Sequence, residues 1–168
     1  MVMRFQYRNV HKSVCTFIED YLTGVGWTSG SNDFSSGNFV FKEEALDKGI
    51  NITQNTLAIS LGDIPEDQLG ELGAGFYTLE LPAFFDIYSG DHSTSYSIGD
   101  DIRGALRYQP IVPIYDYGQD PPELSTDYIE FDHVIGPNEP LAASAAVSTD
   151  FKRHWKVVKA TARVYFTP

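Results

Sequence analysis

Asp91, His92 and Ser93 stand side by side in the stretch "LPAFFDIYSGDHSTSYSIGDDIRGAL", and these are the residue types of a serine hydrolase. Such an enzyme needs its serine, histidine and acid to converge in space, each within hydrogen-bond reach of the next. Neighbouring residues on an extended chain point to opposite sides, so adjacency does not produce that arrangement. The pattern therefore favours a corner, in which Ser93, Thr94 or Ser95 caps the following helix and Asp91 lies near its positive end.

Other signatures of chemistry are weak in this sequence. The nucleophile elbow, the phosphate-binding loop, the dinucleotide fingerprint and the paired-histidine zinc helix are absent. The four histidines are scattered, so the fold alone would have to assemble any metal site. Glu130 and Asp132 share a strand face and could form a carboxylate pair, although exposed acids in an acidic protein usually serve solubility. We therefore expect no enzymatic activity, no metal and no cofactor.

Composition predicts one folded domain over residues 1–168 with an acidic surface. A hydrophobic content of 42% in 168 residues is enough for a core. The formal net charge of -11 argues against direct binding of nucleic acid, because phosphate binding needs clustered Lys and Arg. No run approaches a membrane span, the N-terminus lacks a secretory apolar block, and Cys15 lies in an apolar helical pattern. We expect folding in the cytosol, no membrane contact and a buried, unreactive thiol.

The periodicity of apolar residues predicts the helices and strands that position the candidate residues. Three-and-four spacing predicts helices at about 3–25 and 97–106. Alternation predicts strands at 39–41, 57–61, 76–88, 111–118, 126–135 and 155–166. This order predicts an α+β domain, with a mostly antiparallel sheet of four to five strands and two main helices packed on one face.

Two segments interrupt these patterns. Pro82 lacks an N–H inside the long strand 76–88, which predicts an edge position, a bulge or a break at that residue. The stretch 136–150 shows no clear periodicity, and we expect it to form an extended loop or arm.

One face of the predicted sheet is unusually aromatic. The face directed away from the helices carries Phe76, Phe84, Tyr88, Trp155 and Tyr165 among charged residues. A solvated antiparallel face is normally mostly polar, so aromatic side chains interleaved with charge indicate a protein–protein contact, and these five are candidate subunit-interface residues. An equally open alternative is that the long loop 26–38 or 136–150 folds over this face within one subunit.

The order of elements is also distinctive. An N-terminal helix precedes a Gly-rich loop with "NFVF", an "LAISLGD" strand, the long strand "GFYTLELPAFFDIYSG" running into "SYSIGDDIRGAL", and a terminal "WKVVKATARVYF" strand. This layout resembles the tail terminator, or tail-completion, proteins of long-tailed bacteriophages. The resemblance covers most of the chain and is one of pattern, since no catalytic motif defines that family.

The resemblance implies a structural virion protein of the tail or neck, assembled in the host cytoplasm. Family members form a homohexameric ring that caps the completed tail tube, stops its polymerisation and docks to the head connector or stopper protein. DNA passes through such a ring without specific binding, so we expect acidic lumen walls that repel phosphate. The candidate lumen residues are Glu80, Asp86, Asp100, Asp101, Glu130 and Asp132.

Other interpretations remain open from the sequence alone. The chain could be a head-completion, stopper or other neck protein, or a tail-tube subunit. From other classes, it could be a small cytosolic hydrolase or an acidic nucleic-acid mimic.

Overall fold

The computed structural model describes residues 7–27, 39–40, 55–62, 70–73, 76–140 and 154–167. The elements in these ranges are α1 (Tyr7–Gly24), β1 (Phe39–Val40), β2 (Thr56–Leu61), β3 (Gly70–Gly73), β4 (Phe76–Tyr88), α2 (His92–Tyr108), β5 (Ile111–Asp116), β6 (Glu123–Asn138) and β7 (Lys156–Phe166). The strands form one sheet in the order β1-β2-β4-β7-β6-β5, and β3 also pairs with β4.

The predicted α+β class with a mostly antiparallel sheet is confirmed. Among the strand pairs that the structure describes, only the short β1–β2 pair is parallel, whereas β4 pairs antiparallel with β2, β3 and β7, and β6 with β5 and β7. Five strands are long enough to show alternation in sequence. The four-residue strand β3, in a stretch predicted only to be exposed, and the two-residue strand β1 complete the sheet.

Both helices pack on one face of the sheet, as the periodicity predicts. Val14 of α1 and Ile102 of α2 belong to a single buried cluster with the odd-numbered residues of β4 and the even-numbered residues of β7. The β4 and β7 members are Leu79, Leu81, Ala83, Phe85, Ile87, Val158, Ala160, Ala162, Val164 and Phe166. Alternation along each strand therefore assigns the remaining side chains to the opposite face, hereafter the outer face.

Pro82 is accommodated inside β4 because β2 ends beside it. The last β2 pair joins Leu61 to Ala83, and the N–H of Gly62 donates to the carbonyl of Pro82 at 2.7 Å. The missing N–H of Pro82 therefore faces the end of a neighbouring strand, where a proline disturbs the ladder least. On its other side Pro82 lies opposite Thr161 of β7, and β4 continues through it.

Helix α1 is hydrogen-bonded to β2 near one end of the sheet. The Tyr7 hydroxyl donates to the carbonyl of Leu61 at 2.6 Å, and Nε2 of His11 donates to the carbonyl of Ile59 at 2.7 Å. Strand β1 pairs only with Leu57 and Ala58, so these α1 side chains serve the part of β2 that β1 does not reach.

The same helix is hydrogen-bonded to β5 at the other end. The Ser13 hydroxyl accepts from the N–H of Tyr115 at 3.0 Å, and Oδ1 of Asn9 accepts from the N–H of Tyr117 at 3.1 Å. The sheet therefore curls around α1, and one helix satisfies backbone groups of β5, the last strand in the order, and of β2, the strand next to β1. Covering edges in this way removes templates for pairing with another chain.

Strand β6 extends beyond its predicted end. It runs to Asn138 through register shifts after Asp132 and Ile135. Two arginines of α2 hold this irregular part, since Arg107 donates to the carbonyl of Val134 and Arg103 to that of Gly136. The first three residues of the predicted 136–150 arm thus belong to β6, and 141–150 lie outside the described residues, as do 28–38 of the predicted loop.

Candidate interaction surface

The Asp-His-Ser corner is a helix cap. Asp91 has extended backbone angles, and its carboxylate accepts from both the hydroxyl and the backbone N–H of Thr94, the latter at 2.7 Å. These bonds lower the pKa of the Asp91 carboxyl. The cap is therefore Asp91, and the prediction of Ser93, Thr94 or Ser95 is wrong, because α2 begins at His92, earlier than the spacing indicated.

The three corner residues do not assemble a hydrolase triad. The His92 ring packs edge-on to Tyr96 at 4.7 Å and lies 5.9 Å from the His154 ring, while the Asp91 carboxylate is engaged by Thr94. A cleft of about 530 Å³ opens between α1 and the ends of β5, β6 and β7, and its walls include none of the three. Among the described residues, no group of three or more His, Cys, Asp or Glu side chains is arranged to hold a metal ion.

The outer face of the sheet is the candidate functional surface, and ion pairs cross its centre. Arg163 of β7 lies opposite Glu80 of β4 on one side and Glu130 of β6 on the other. The Arg163 Nε and Nη2 donate to Oε1 of Glu80 at 3.0 and 2.9 Å, and Nη1 lies 4.0 Å from Oε2 of Glu130. Directly opposite residues project to the same side, so this row faces outward.

An aromatic stack lies beside that row. The rings of Tyr128 and Tyr165 are 4.6 Å apart and nearly parallel, and the Tyr165 hydroxyl donates to Oε2 of Glu130 at 3.0 Å. Both tyrosines are half-buried. Of the predicted interface residues, Tyr165 therefore keeps part of its surface available on the outer face.

Two other predicted interface residues are buried within the subunit. Tyr88 is 0% and Trp155 7% exposed, their rings lie 5.2 Å apart, and they form a small second core with Ala58 and Val157. They have no surface to offer a neighbouring copy, so this part of the predicted interface is corrected. Their burial arises within one subunit, and most of the loops 26–38 and 136–150, which were the predicted cover, lies outside the described residues.

Asp86 is likewise removed from the lumen candidates. Its side chain is buried at 1% exposure, and it accepts a hydrogen bond from the Trp155 indole N–H at 3.0 Å. The Asp86 charge and burial together raise the pKa of the Tyr88 phenol, with burial the larger cause. A buried carboxylate in this position cannot line a water-filled lumen.

The remaining candidates lie on two different surfaces. Glu80, Glu130 and Asp132 are on the outer face, whereas Asp100 and Asp101 are on α2. Asp100 pairs with Arg103 at 2.8 Å, and Oδ2 of Asp101 accepts from the Trp27 indole at 2.7 Å. No single surface of the subunit therefore gathers all the predicted acids.

Phe84 and Phe76 are the other predicted interface residues. Phe84 is half-buried at the margin of the second core, with Nζ of Lys159 5.9 Å from its ring centroid. Phe76 is the first residue of β4 and pairs with Gly73 of β3.

The most exposed large apolar residues of the outer face are not among the five predicted interface residues. Leu124 is 63%, Ile111 61% and Ile135 57% exposed, and Tyr115 is also exposed. Their signal was present in "IVPIYD", where Ile111 and Tyr115 alternate with buried Val112 and Ile114. Both faces of that short strand are apolar, so alternation alone did not mark one of them as solvent-facing.

Comparison with known proteins gives no family for this chain. No family model matches its sequence, and no curated protein matches it. Neither helix in the described part of the chain is long and apolar enough to cross a membrane. Function is therefore inferred from the outer face and the charge distribution.

Proposed function

We propose that this chain is a ring-forming neck protein similar to the tail terminators of long-tailed bacteriophages. In that role it caps the tail tube, stops its polymerisation and joins it to the head connector. The supporting observation is the outer face, which leaves Ile111, Leu124 and Ile135 more than half exposed in a chain of net charge -11. Large apolar side chains that stay exposed among charged residues are typical of protein–protein contact surfaces.

The order of helices and strands agrees with the resemblance to tail terminators. The N-terminal helix, the long β4, the short capped turn, α2 and the long β7 occur in the order on which the resemblance rests. One fold serves many functions, so this agreement is an analogy. The proposal therefore also depends on the exposed apolar side chains of the outer face.

The charge distribution is compatible with a ring through which DNA passes. Acids lie both on the outer face, at Glu80, Glu130 and Asp132, and on α2, at Asp100 and Asp101. Arg163 offsets the acids of the outer face locally, and Arg103 and Arg107 offset those of α2, so the support for weak DNA binding during passage is the net charge of -11 over the whole chain.

A tube-growth assay tests this function. The purified chain is added to the tail-tube protein encoded nearest to its gene during polymerisation, and tube lengths and ends are imaged by electron microscopy. We expect shorter tubes that carry a ring at one end. Unchanged lengths with bare ends would overturn the proposal, and binding to a head connector without any effect on tubes would assign the chain to head completion instead.

A further inference from the structure

The cleft of about 530 Å³ between α1 and the ends of β5, β6 and β7 has the dimensions of a small-molecule site. Such sites occupy about 300–1,000 Å³ and combine an apolar lining with a few convergent polar groups. This end cleft lies between Asn9 and Val10 of α1 and the strand residues Asp116, Asp127 and Phe166. Val10 and Phe166 are buried and give it an apolar inner surface, while the two half-buried acids border it.

Each of the two carboxylates uses one oxygen for the fold and leaves the other unused. Oδ1 of Asp116 accepts from Nδ2 of Asn9 at 3.2 Å and from the N–H of Gly118 at 2.9 Å. Oδ1 of Asp127 accepts from the N–H and the hydroxyl of Thr167 at 3.1 and 3.4 Å. Neither Oδ2 accepts a hydrogen bond from any residue that the structure describes. Both Oδ2 atoms can therefore accept from a ligand without breaking a bond that holds the fold.

The serine and threonine hydroxyls of the end cleft already donate within the protein. The Ser125 hydroxyl donates to the carbonyl of Ile114 at 2.7 Å. The Thr167 hydroxyl donates to Asp127, so Thr126 is the donor in the 3.5 Å bond between the Thr126 and Thr167 hydroxyls. The strongest unsatisfied groups of the cleft are therefore its two carboxylate oxygens, and the ligand that complements them is one that donates hydrogen bonds.

The contacts around the end cleft leave these carboxylates without a cationic partner. Among the described residues, no Lys, Arg or His lines the cleft. Nζ of Lys12 lies 4.9 Å from the centroid of the Tyr117 ring, whose hydroxyl is hydrogen-bonded to Thr16 farther along α1, and neither Lys12 nor Tyr117 lines the cleft. Glu123 lies directly opposite Asp116 in the ladder and adds a third acid beside it. An anionic ligand is therefore opposed and a cationic one favoured.

We infer that the end cleft binds an organic cation, in the form of an ammonium or guanidinium group on an alkyl stem. The Oδ2 atoms of Asp116 and Asp127 attract the charged head group, and the stem packs on Val10 and Phe166. A free amine and a basic side chain of another protein share this chemistry. The inference goes beyond the proposed function and does not depend on it.

Titration with 1,5-diaminopentane, followed by amide NMR of the chain labelled with nitrogen-15, tests the site. The N–H groups of Gly118 and Thr167 bond to the two carboxylates, so we expect their signals to shift and to saturate with a Kd of about 1 mM or tighter. Pentanol has the stem without the charge, and glutarate has the opposite charge. Both should bind about tenfold or more weakly, because neither forms the charge-assisted bond.

Asp116→Asn and Asp127→Asn test the two carboxylates one at a time. Each variant keeps an oxygen that can accept the bonds from Gly118 or Thr167, so the fold should be retained, as circular dichroism can verify. Each should weaken the binding of diaminopentane about tenfold or more. Asp132→Asn is the matched control, since it removes the same charge from the outer face, and it should bind like the unaltered chain.

Three results would overturn the inference. They are the absence of a saturable shift at Gly118 and Thr167 up to about 10 mM diaminopentane, equal binding of pentanol, and normal binding by both cleft variants. The first two use the unaltered chain, so a variant that misfolds does not remove the test.

A capped lysine, with its α-amino group acetylated and its carboxyl group amidated, distinguishes the two sources of the cation. It carries one ammonium group on an alkyl stem, next to the backbone amides of a protein chain. Tighter binding of diaminopentane assigns the end cleft to free amines, and tighter binding of the capped lysine assigns it to a basic side chain of a partner protein. Either result supports a cation site.

Discussion

The indole N–H of Trp155 donates to the carboxylate of Asp86 at 3.0 Å, and both side chains are buried. Trp27 and Asp101 form the same kind of bond at 2.7 Å in a half-buried setting. The molecule thus contains two indole–carboxylate pairs that differ in burial.

Trp155→Phe should lower the free energy of unfolding more than Trp27→Phe does. Loss of a donor to a buried charge costs about 2–4 kcal/mol, whereas a half-solvated carboxylate can turn to water and the loss is nearer 1 kcal/mol. Urea unfolding followed by circular dichroism measures both. Equal costs would contradict the importance of burial at Asp86.

Asp91→Ala should destabilise the chain by about 1 kcal/mol, because the first turn of α2 loses its cap. Ser93→Ala is the control and should change stability by less than about 0.5 kcal/mol. The pKa of Asp91 is lowered in the folded state, so its contribution is complete above the ordinary carboxyl pKa and is lost as the pH falls through the lowered value. The two variants should therefore converge in stability in acid, and a constant difference would contradict the assignment.

Two glycines inside α2 should respond oppositely to substitution by alanine. A Cβ at Gly99 would lie 2.5 Å from Cβ of Pro137, whereas at Gly104 the nearest atom is the Tyr21 hydroxyl oxygen at 3.4 Å. Gly99→Ala should destabilise by about 1–3 kcal/mol through overpacking. Gly104→Ala should stabilise by up to about 1 kcal/mol through helix propensity. Thermal unfolding of the two variants measures whether each substitution lowers or raises the stability of the protein.

The Cys15 thiol should react slowly in the native protein. Burial, followed by the nearby Glu19 carboxylate, raises its pKa to about 12. Because the thiolate is the nucleophile, labelling near pH 8 should be about tenfold or more slower in the native protein than in urea. The folded state keeps this proton while the unfolded state loses it above about 9, so the thiol also makes stability fall as pH rises from there. Equal labelling rates would contradict a partly buried thiol with a raised pKa, and Cys15→Ser, which removes the single cysteine, provides the blank.

Alternation revealed most of the sheet because each strand has one face in the core. Leu81 and Phe85 in β4, with Val158 and Val164 in β7, repeat every second residue, and both strands begin and end close to their predicted limits. The short strand β3 lacks such a signal, since its sequence "GELG" contains one apolar side chain.

The outer face was predictable only in part. Periodicity assigns Tyr88 to the face opposite the helices, but it does not say which parts of that face become covered, because coverage depends on contacts distant in sequence. The cap at Asp91 was missed for a different reason. Asp and Ser have similar capping preferences, so residue type does not distinguish Asp91 from the three predicted caps, and the angle at which the chain enters the helix decides between them.

Helix α1 occupies positions at which a further strand could otherwise pair with β2 or with β5. A strand joining β2 at Ile59 or Leu61 would have to displace the bonds from His11 and Tyr7, and one joining β5 would have to displace Ser13. Backbone zippering between molecules is thereby disfavoured at those positions.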